Sequence, residues 1–123
     1  MNLSEKDKKE WEELLMEREL MNEGDSIVEY VKGDYYSFGQ NRGRYFFTNE
    51  SLIFISGLGG TVAVLPYRNI KEIKKCLVGP FIPTGVKVTV FDEEKGKNKK
   101  HKLSLLGRKK WMEYLSQQSG VAL

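Results

Sequence analysis

The stretch from Gly43 to Val90 constrains this chain more than any other. It reads as short β-rich runs separated by turn residues: GRYFFTN, ESLIFIS, TVAVLPY, IKEIKKCLV and GVKVTVF. Helical patterns precede and follow it. Short strands in succession with helical ends point to a small antiparallel barrel or sandwich, mainly β with terminal helices. At 123 residues the chain fits one domain with a real hydrophobic core.

Ser4 followed by Asp7 has the spacing of a capping box, with Asp where Glu is commoner. Trp11, Leu14, Leu15 and Met21 then make an apolar stripe, and Gly24 is a natural stop. Residues 1–25 are therefore expected to form an amphipathic helix. Its stripe must be buried, on the sheet of its own domain or on a second subunit. Residues 26–123 form the domain itself.

Within that domain, Gly33-Asp34 interrupts the run from Ile27 to Phe38 and marks a bulge or tight turn. The segment Gly39-Gln40-Asn41-Arg42-Gly43 reads as a loop, and Asn49-Glu50 as a hairpin turn. Leu52 and Phe54 alternate with Ile53 and Ile55, so this strand is apolar on both faces and needs cover on both sides. Gly57-Leu58-Gly59-Gly60 is glycine-rich, but no Lys-Ser/Thr follows; it is a hairpin loop, not a phosphate cradle. Pro66 ends the next strand, Ile70 to Val78 forms another, and prolines stiffen a loop over residues 79–85. Val86, Val88 and Val90 alternate with Lys87 and Thr89, as do His101, Leu103 and Leu105 with Lys100, Lys102 and Ser104. Trp111, Tyr114, Leu115 and Gln118 mark one face of a closing helix.

Nothing in the sequence supports catalysis. The single histidine, His101, is in phase with Leu103 and Leu105, as a half-buried structural residue is. The single cysteine, Cys76, excludes an internal disulfide and a thiolate metal cluster. Asp92, Glu93 and Glu94 sit together in a turn and offer too few oxygen ligands for a hard metal. No catalytic residue, metal or cofactor is expected. The opening MNLSEKDKKEWEE lacks the apolar core of an export signal, and no stretch approaches the roughly 20 apolar residues of a spanning helix. A soluble, cytoplasmic protein is expected.

Charge is unevenly spread. Residues 1–25 carry nine acidic and four basic side chains, and the whole chain is +3, which leaves +8 for the remainder. The densest basic stretch, Lys95 to Lys110, holds eight Lys/Arg and no acid. This asymmetry suggests an acidic helix on one face and a basic surface elsewhere.

Two segments carry a family resemblance. The hairpin Tyr45-Phe46-Phe47-Thr48-Asn49-Glu50-Ser51-Leu52-Ile53-Phe54 resembles the strand, Thr-Asn turn and aliphatic-aromatic run of GRAM-like and bacterial PH-like domains. Leu65-Pro66-Tyr67-Arg68-Asn69-Ile70-Lys71-Glu72-Ile73 is similar to their strand, polar turn and Ile-x-x-Ile step. The resemblance covers about Ser26 to Gln118, with the N-terminal helix extra and Ser51 where a basic residue is common. It implies a PH-like, strongly bent antiparallel barrel of seven strands capped by a C-terminal α-helix, with Trp111 and Leu115 as core plugs. The residues alone also admit an OB-like barrel or an unrelated α+β roll.

The resemblance further implies a place for anions. Lipid-binding PH domains surround inositol phosphates with a Lys, a variable gap and a basic-x-Arg step, which Lys32, Arg42 and Arg44 match. Lys97, Lys99, Lys100 and Lys102 make a second basic hairpin suited to anionic headgroups at the inner membrane surface. Tyr35, Tyr36, Phe38, Tyr45 and Phe46 interleave with the same arginines, but aromatics at strand spacing belong to the core, so nucleic acid ranks last. Association with a protein partner or with a second copy ranks first. The doubly apolar strand Leu52 to Ile55, Phe81 and Ile82 in their stiff loop, and the N-terminal stripe are the candidate surfaces.

Overall fold

The computed structural model describes residues 3–78 and 82–123, with Ile82 by its backbone alone. The expected surface residue Phe81 and the side chain of Ile82 therefore lie outside the described residues. Helix α1 is Glu5–Glu17. Seven strands follow: β1 Ile27–Tyr36, β2 Gln40–Thr48, β3 Ser51–Ser56, β4 Val62–Pro66, β5 Ile70–Val78, β6 Ile82–Asp92 and β7 Lys97–Leu105. A single 3-10 turn, Tyr67–Asn69, links β4 to β5, and helix α2, Arg108–Ser119, closes the chain. No described helix is long and apolar enough to cross a membrane.

The strand order is β4-β3-β2-β1-β7-β6-β5, antiparallel throughout. β1 pairs with β7 only from Gly33 to Tyr36, so the sheet bends there and its halves face each other. The core fills the space between them. Tyr35, Tyr45, Phe47, Leu52 and Phe54 come from one half, and Ile70, Ile73, Val86, Val88 and Leu103 from the other. α2 closes one end with Trp111, Met112 and Leu115. This is the PH-like bent barrel that the resemblance implied.

α1 lies on the outer face of the first half. Leu15 packs there with Met21, Ile27, Phe46, Ile53 and Ile55, and Trp11 meets Phe46 at 5.0 Å between ring centroids. The strand apolar on both faces is thus explained: β3 has the core beneath it and α1 above, so the Leu52–Ile55 strand and the stripe of α1 cover each other and are not the partner surfaces expected of them. Glu12 fixes the helix in place. Its Oε2 accepts hydrogen bonds from the Ser26 hydroxyl at 2.9 Å and the Ile27 N–H at 2.8 Å. Ser4 caps α1 as expected, accepting from the Asp7 N–H at 3.1 Å.

The helix ends at Glu17 rather than near Gly24. Glu19 takes the left-handed conformation (φ 60°), and the Leu20 N–H reaches back to the Leu15 carbonyl at 2.8 Å. This is a Schellman closure, made without glycine, that drops Met21 into the cluster under the helix.

The Thr48-Asn49 turn also has a clear cause. The buried Thr48 Oγ1 accepts from the Glu50 and Ser51 N–H groups at 3.2 and 3.0 Å, and the Tyr67 hydroxyl donates to the Thr48 carbonyl at 2.7 Å.

Three further expectations fail. Gly33-Asp34 does not break β1, and the loop expected over residues 39–43 is confined to residues 37–39. Gly33 and Gly43 face each other inside paired strands, where a missing side chain serves close backbone approach rather than a turn. Of the loop expected over residues 79–85, residues 82–85 belong to β6, which begins at Ile82, and residues 79–81 lie outside the described residues.

Candidate interaction surfaces

Lys32, Arg42 and Arg44 share the outer face of the β1–β2 pair. Lys32 stands opposite Arg44, and Asp34 opposite Arg42. The Arg44 guanidinium lies 4.9 Å from the centre of the Trp11 ring, so α1 partly roofs it. Asp34 accepts from the Gln40 amide at 2.7 Å and brings a carboxylate beside Arg42. The three cations therefore share a face, with one engaged by an aromatic ring and one set against an acid.

The four lysines of β7 do not form one cluster. Successive side chains of a strand point to opposite faces. Lys99 shares its phase with the buried His101 and faces the cleft at the barrel end, which Lys99 lines. Lys100 and Lys102 point to the outer face of the second half. Lys97, at the start of β7, pairs with Asp92. Register completes a pattern that spacing along the chain does not show. Gln40, Tyr36, Lys102, Lys87 and Lys74 stand side by side on five successive strands. Lys74 and Lys87 escaped the sequence reading because only the β5–β6–β7 register brings them beside Lys102.

A second surface is the end formed by the β1–β2 and β3–β4 loops. Phe38 and Leu58 sit at their tips with relative exposures of 112% and 101%, so both side chains are wholly in solvent. The loops are nevertheless well anchored. The Asn41 amide donates to the carbonyls of Tyr35 and Ser37, both at 3.1 Å. The Gly57 N–H donates to the Arg42 carbonyl at 2.8 Å and the Thr61 hydroxyl to Asn41 Oδ1 at 3.3 Å, tying one loop to the other. Arg18 Nη2 holds the Gly59 carbonyl at 3.0 Å. The sequence signal for Leu58 was its place between glycines. Phe38 gave none, since it continues an aromatic strand pattern.

The third feature is an open cleft of about 370 Å³ between β4, the 3-10 turn and the β6–β7 turn. Its cation Arg68 is 3.8 Å from Glu93, which also accepts from the Asn69 amide at 3.2 Å. His101 lines the cleft but is only 6% exposed, with Nδ1 2.7 Å from the Tyr35 hydroxyl. Burial raises the Tyr35 pKa, which keeps the hydroxyl protonated. His101 and Cys76 do not meet: one is opposite Val88 and the other opposite Gly85. Among the described residues no three His, Cys, Asp or Glu side chains are placed to hold a metal ion.

Burial, helped by Lys99 and opposed by Asp92, pulls the His101 pKa down to about 4. The unfolded chain takes up this proton as pH falls through about 6.5, whereas the folded chain waits until about 4. Between these values the unfolded state binds more protons, so stability falls on acidification and is unaffected above that window. Against a His101→Asn variant, the parent should lose about 2 kcal/mol more between pH 7 and pH 5. Urea titrations of both proteins at the two pH values measure this. Equal losses would show that His101 titrates normally.

No protein-family model and no curated protein sequence matches the chain. Solved structures do. The C-terminal domain of an unknown protein from Leishmania infantum superposes with a TM-score of 0.69 at 18% identity, over 90% of this chain and 95% of that one. The Vps36 N-terminal PH domain gives 0.53 at 15% identity, over 82% and 83% of the two chains. The DH/PH domains of p115-RhoGEF give 0.58 at 11% identity; 88% of this chain is covered but only 35% of that longer one. Identities this low speak for the fold alone. Strand order, the closing helix and these superpositions agree that the chain has the PH-like fold.

Proposed function

We propose that this chain is a non-catalytic interaction module that docks on anionic bilayer surfaces through the paired β1–β2 and β3–β4 loops. The full exposure of Phe38 and Leu58 on anchored, adjoining loops carries the reading. Burying each side chain in the interfacial layer is worth about 1.5–3 kcal/mol. Arg42, in β2 beside these loops, and Arg18, whose guanidinium reaches from the end of α1 to the Gly59 carbonyl, border this end, and a cation close to an anionic surface adds about 1 kcal/mol. Ordering the module at the surface offsets part of this, so binding is weak and reversible. The PH-like neighbours support an interaction role. The Thr48-Asn49 hairpin supports a narrower GRAM-like affiliation, and the separation of His101 from Cys76 supports the absence of catalysis. Protein association draws on a different surface, the lysine row of β5–β7.

Vesicles of phosphatidylcholine with phosphatidylserine test the docking. Phe38→Ser with Leu58→Ser should weaken sedimentation with vesicles at least about tenfold, which is about 1.4 kcal/mol. The melting temperature should stay unchanged, because neither side chain packs on the fold. Arg42→Ala should lower binding mainly at low salt. A parent that ignores vesicles at low salt, or a double variant that binds as well as the parent, refutes the reading.

A further inference from the structure

The solvent face of β5–β7 carries a feature that strand stability does not call for. Lys102, Lys87 and Lys74 stand directly opposite one another on three adjacent strands. Like charges so placed repel. Lysines on an edge strand guard against strand addition, which accounts for Lys74 on β5. It does not account for Lys87 and Lys102, which occupy interior strands. Glu72 reaches only Lys74, at 3.4 Å, and Lys102 lies 5.8 Å from the Tyr36 ring. Among the described residues neither Lys87 nor Lys102 has an ion-pair partner.

The chain carries a matching row of opposite sign. Glu10, Glu13 and Glu17 follow three- and four-residue steps along α1, and all three are exposed. Such spacing puts like charges side by side on a helix, again at a cost. None of them has an ion-pair partner among the described residues. Leu15 and Trp11 face the sheet, which leaves the glutamates on the opposite side of the helix. The two rows also agree in length. Glu10 to Glu17 spans about 10 Å at roughly 1.5 Å per residue. Three strands about 4.8 Å apart spread their lysines over about 10 Å.

We infer that the β5–β7 lysine row is a docking site for α1 of a second copy of this chain. One copy cannot satisfy itself, because α1 is held on the outer face of the other half of the bent sheet. The two outer faces point away from each other across the shared core. A contact between them is therefore head-to-tail, and it extends into short chains of copies rather than closing a two-fold pair. α1 is already folded, capped and packed, so docking pays no cost for folding the helix. The surface is distinct from the Phe38–Leu58 loop end, and the contact needs no membrane.

Sedimentation equilibrium of the full chain without lipid tests this. At about 50 mM salt the average mass of the parent should rise with concentration beyond that of a dimer, and it should return to monomer near 0.5 M salt. Lys87→Glu with Lys102→Glu, and separately Glu13→Lys with Glu17→Lys, should each be monomeric and melt like the parent. Mixed one to one, they should assemble again, because the unaltered α1 of one variant meets the unaltered lysine row of the other and the two reversed surfaces are also opposite in sign. A parent that stays monomeric near 1 mM at low salt overturns the inference. So does either variant assembling alone, or a mixture that does not pair. A monomeric parent that binds a single-stranded oligonucleotide through Lys87 and Lys102 would overturn it in favour of nucleic acid.

Discussion

Trp111→Ala should lower the stability of the fold by about 3–5 kcal/mol, the usual cost of deleting a large buried aromatic. Trp111 is 6% exposed and stacks on Phe47 with ring centroids 4.4 Å apart and planes inclined by 18°. Tyr114 meets the same indole edge-on at 6.1 Å, and Lys110 lies 4.5 Å from its ring centre. The Phe47 stack ties α2 to β2, so truncation removes the plug from the barrel end as well as one side chain. Part of the void would stay, because Phe47 is fixed by its own strand. Urea denaturation should show a lower midpoint with little change in slope. Trp111→Phe keeps an aromatic partner for Phe47 and should lose much less. An unfolding free energy for Trp111→Ala within about 1 kcal/mol of the parent would mean that α2 does not close the barrel.

Strands with period-two burial and hairpins with side-chain chemistry were legible in the sequence, and the anchors show why. Val86, Val88 and Leu103 bury one phase of their strands, a local pattern that alternation reveals. Thr48 holds its own turn through residues two and three positions on. The doubly apolar β3 announced a second covering layer, and α1 supplied it. The lysine row was hidden because its members are up to 28 positions apart, and only strand register brings them together. Phe38 was hidden for a different reason. Its neighbours Tyr35 and Tyr45 are core residues, but Phe38 occupies the turn itself, with φ 52°, so its side chain leaves the sheet. Lys32, Arg42 and Arg44 were read as one cluster because spacing shows proximity along strands. It does not show that α1 would place Trp11 over Arg44.

Glycine was the most misleading signal, and it supports the second large prediction. Gly43→Ala should destabilise the protein by about 3 kcal/mol, at the upper end of what overpacking costs. A Cβ at Gly43 would collide with the carbonyl oxygen of Ile55 and lie 2.7 Å from Ser56 Cα. Both obstacles are backbone atoms of β3, so no rotamer change relieves the clash and the β2–β3 ladder must open. Gly33, its cross-strand partner, is equally tight: a Cβ there would sit 2.6 Å from the Ser104 carbonyl oxygen and 2.9 Å from the Tyr45 ring. The two glycines thus let four strands converge where the sheet bends from one half to the other. Gly60→Ala is the matched control. A Cβ at Gly60 meets nothing within 4 Å, so it should be neutral or stabilise by about 0.4–1 kcal/mol through the unfolded chain. Hydrogen exchange should localise the damage. In Gly43→Ala the ladder amides of Tyr45 and Phe54 should exchange faster than those of β5 and β6. If both alanine variants melt alike, the bend tolerates a side chain, and the paired glycines are not what allows the sheet to fold over its core.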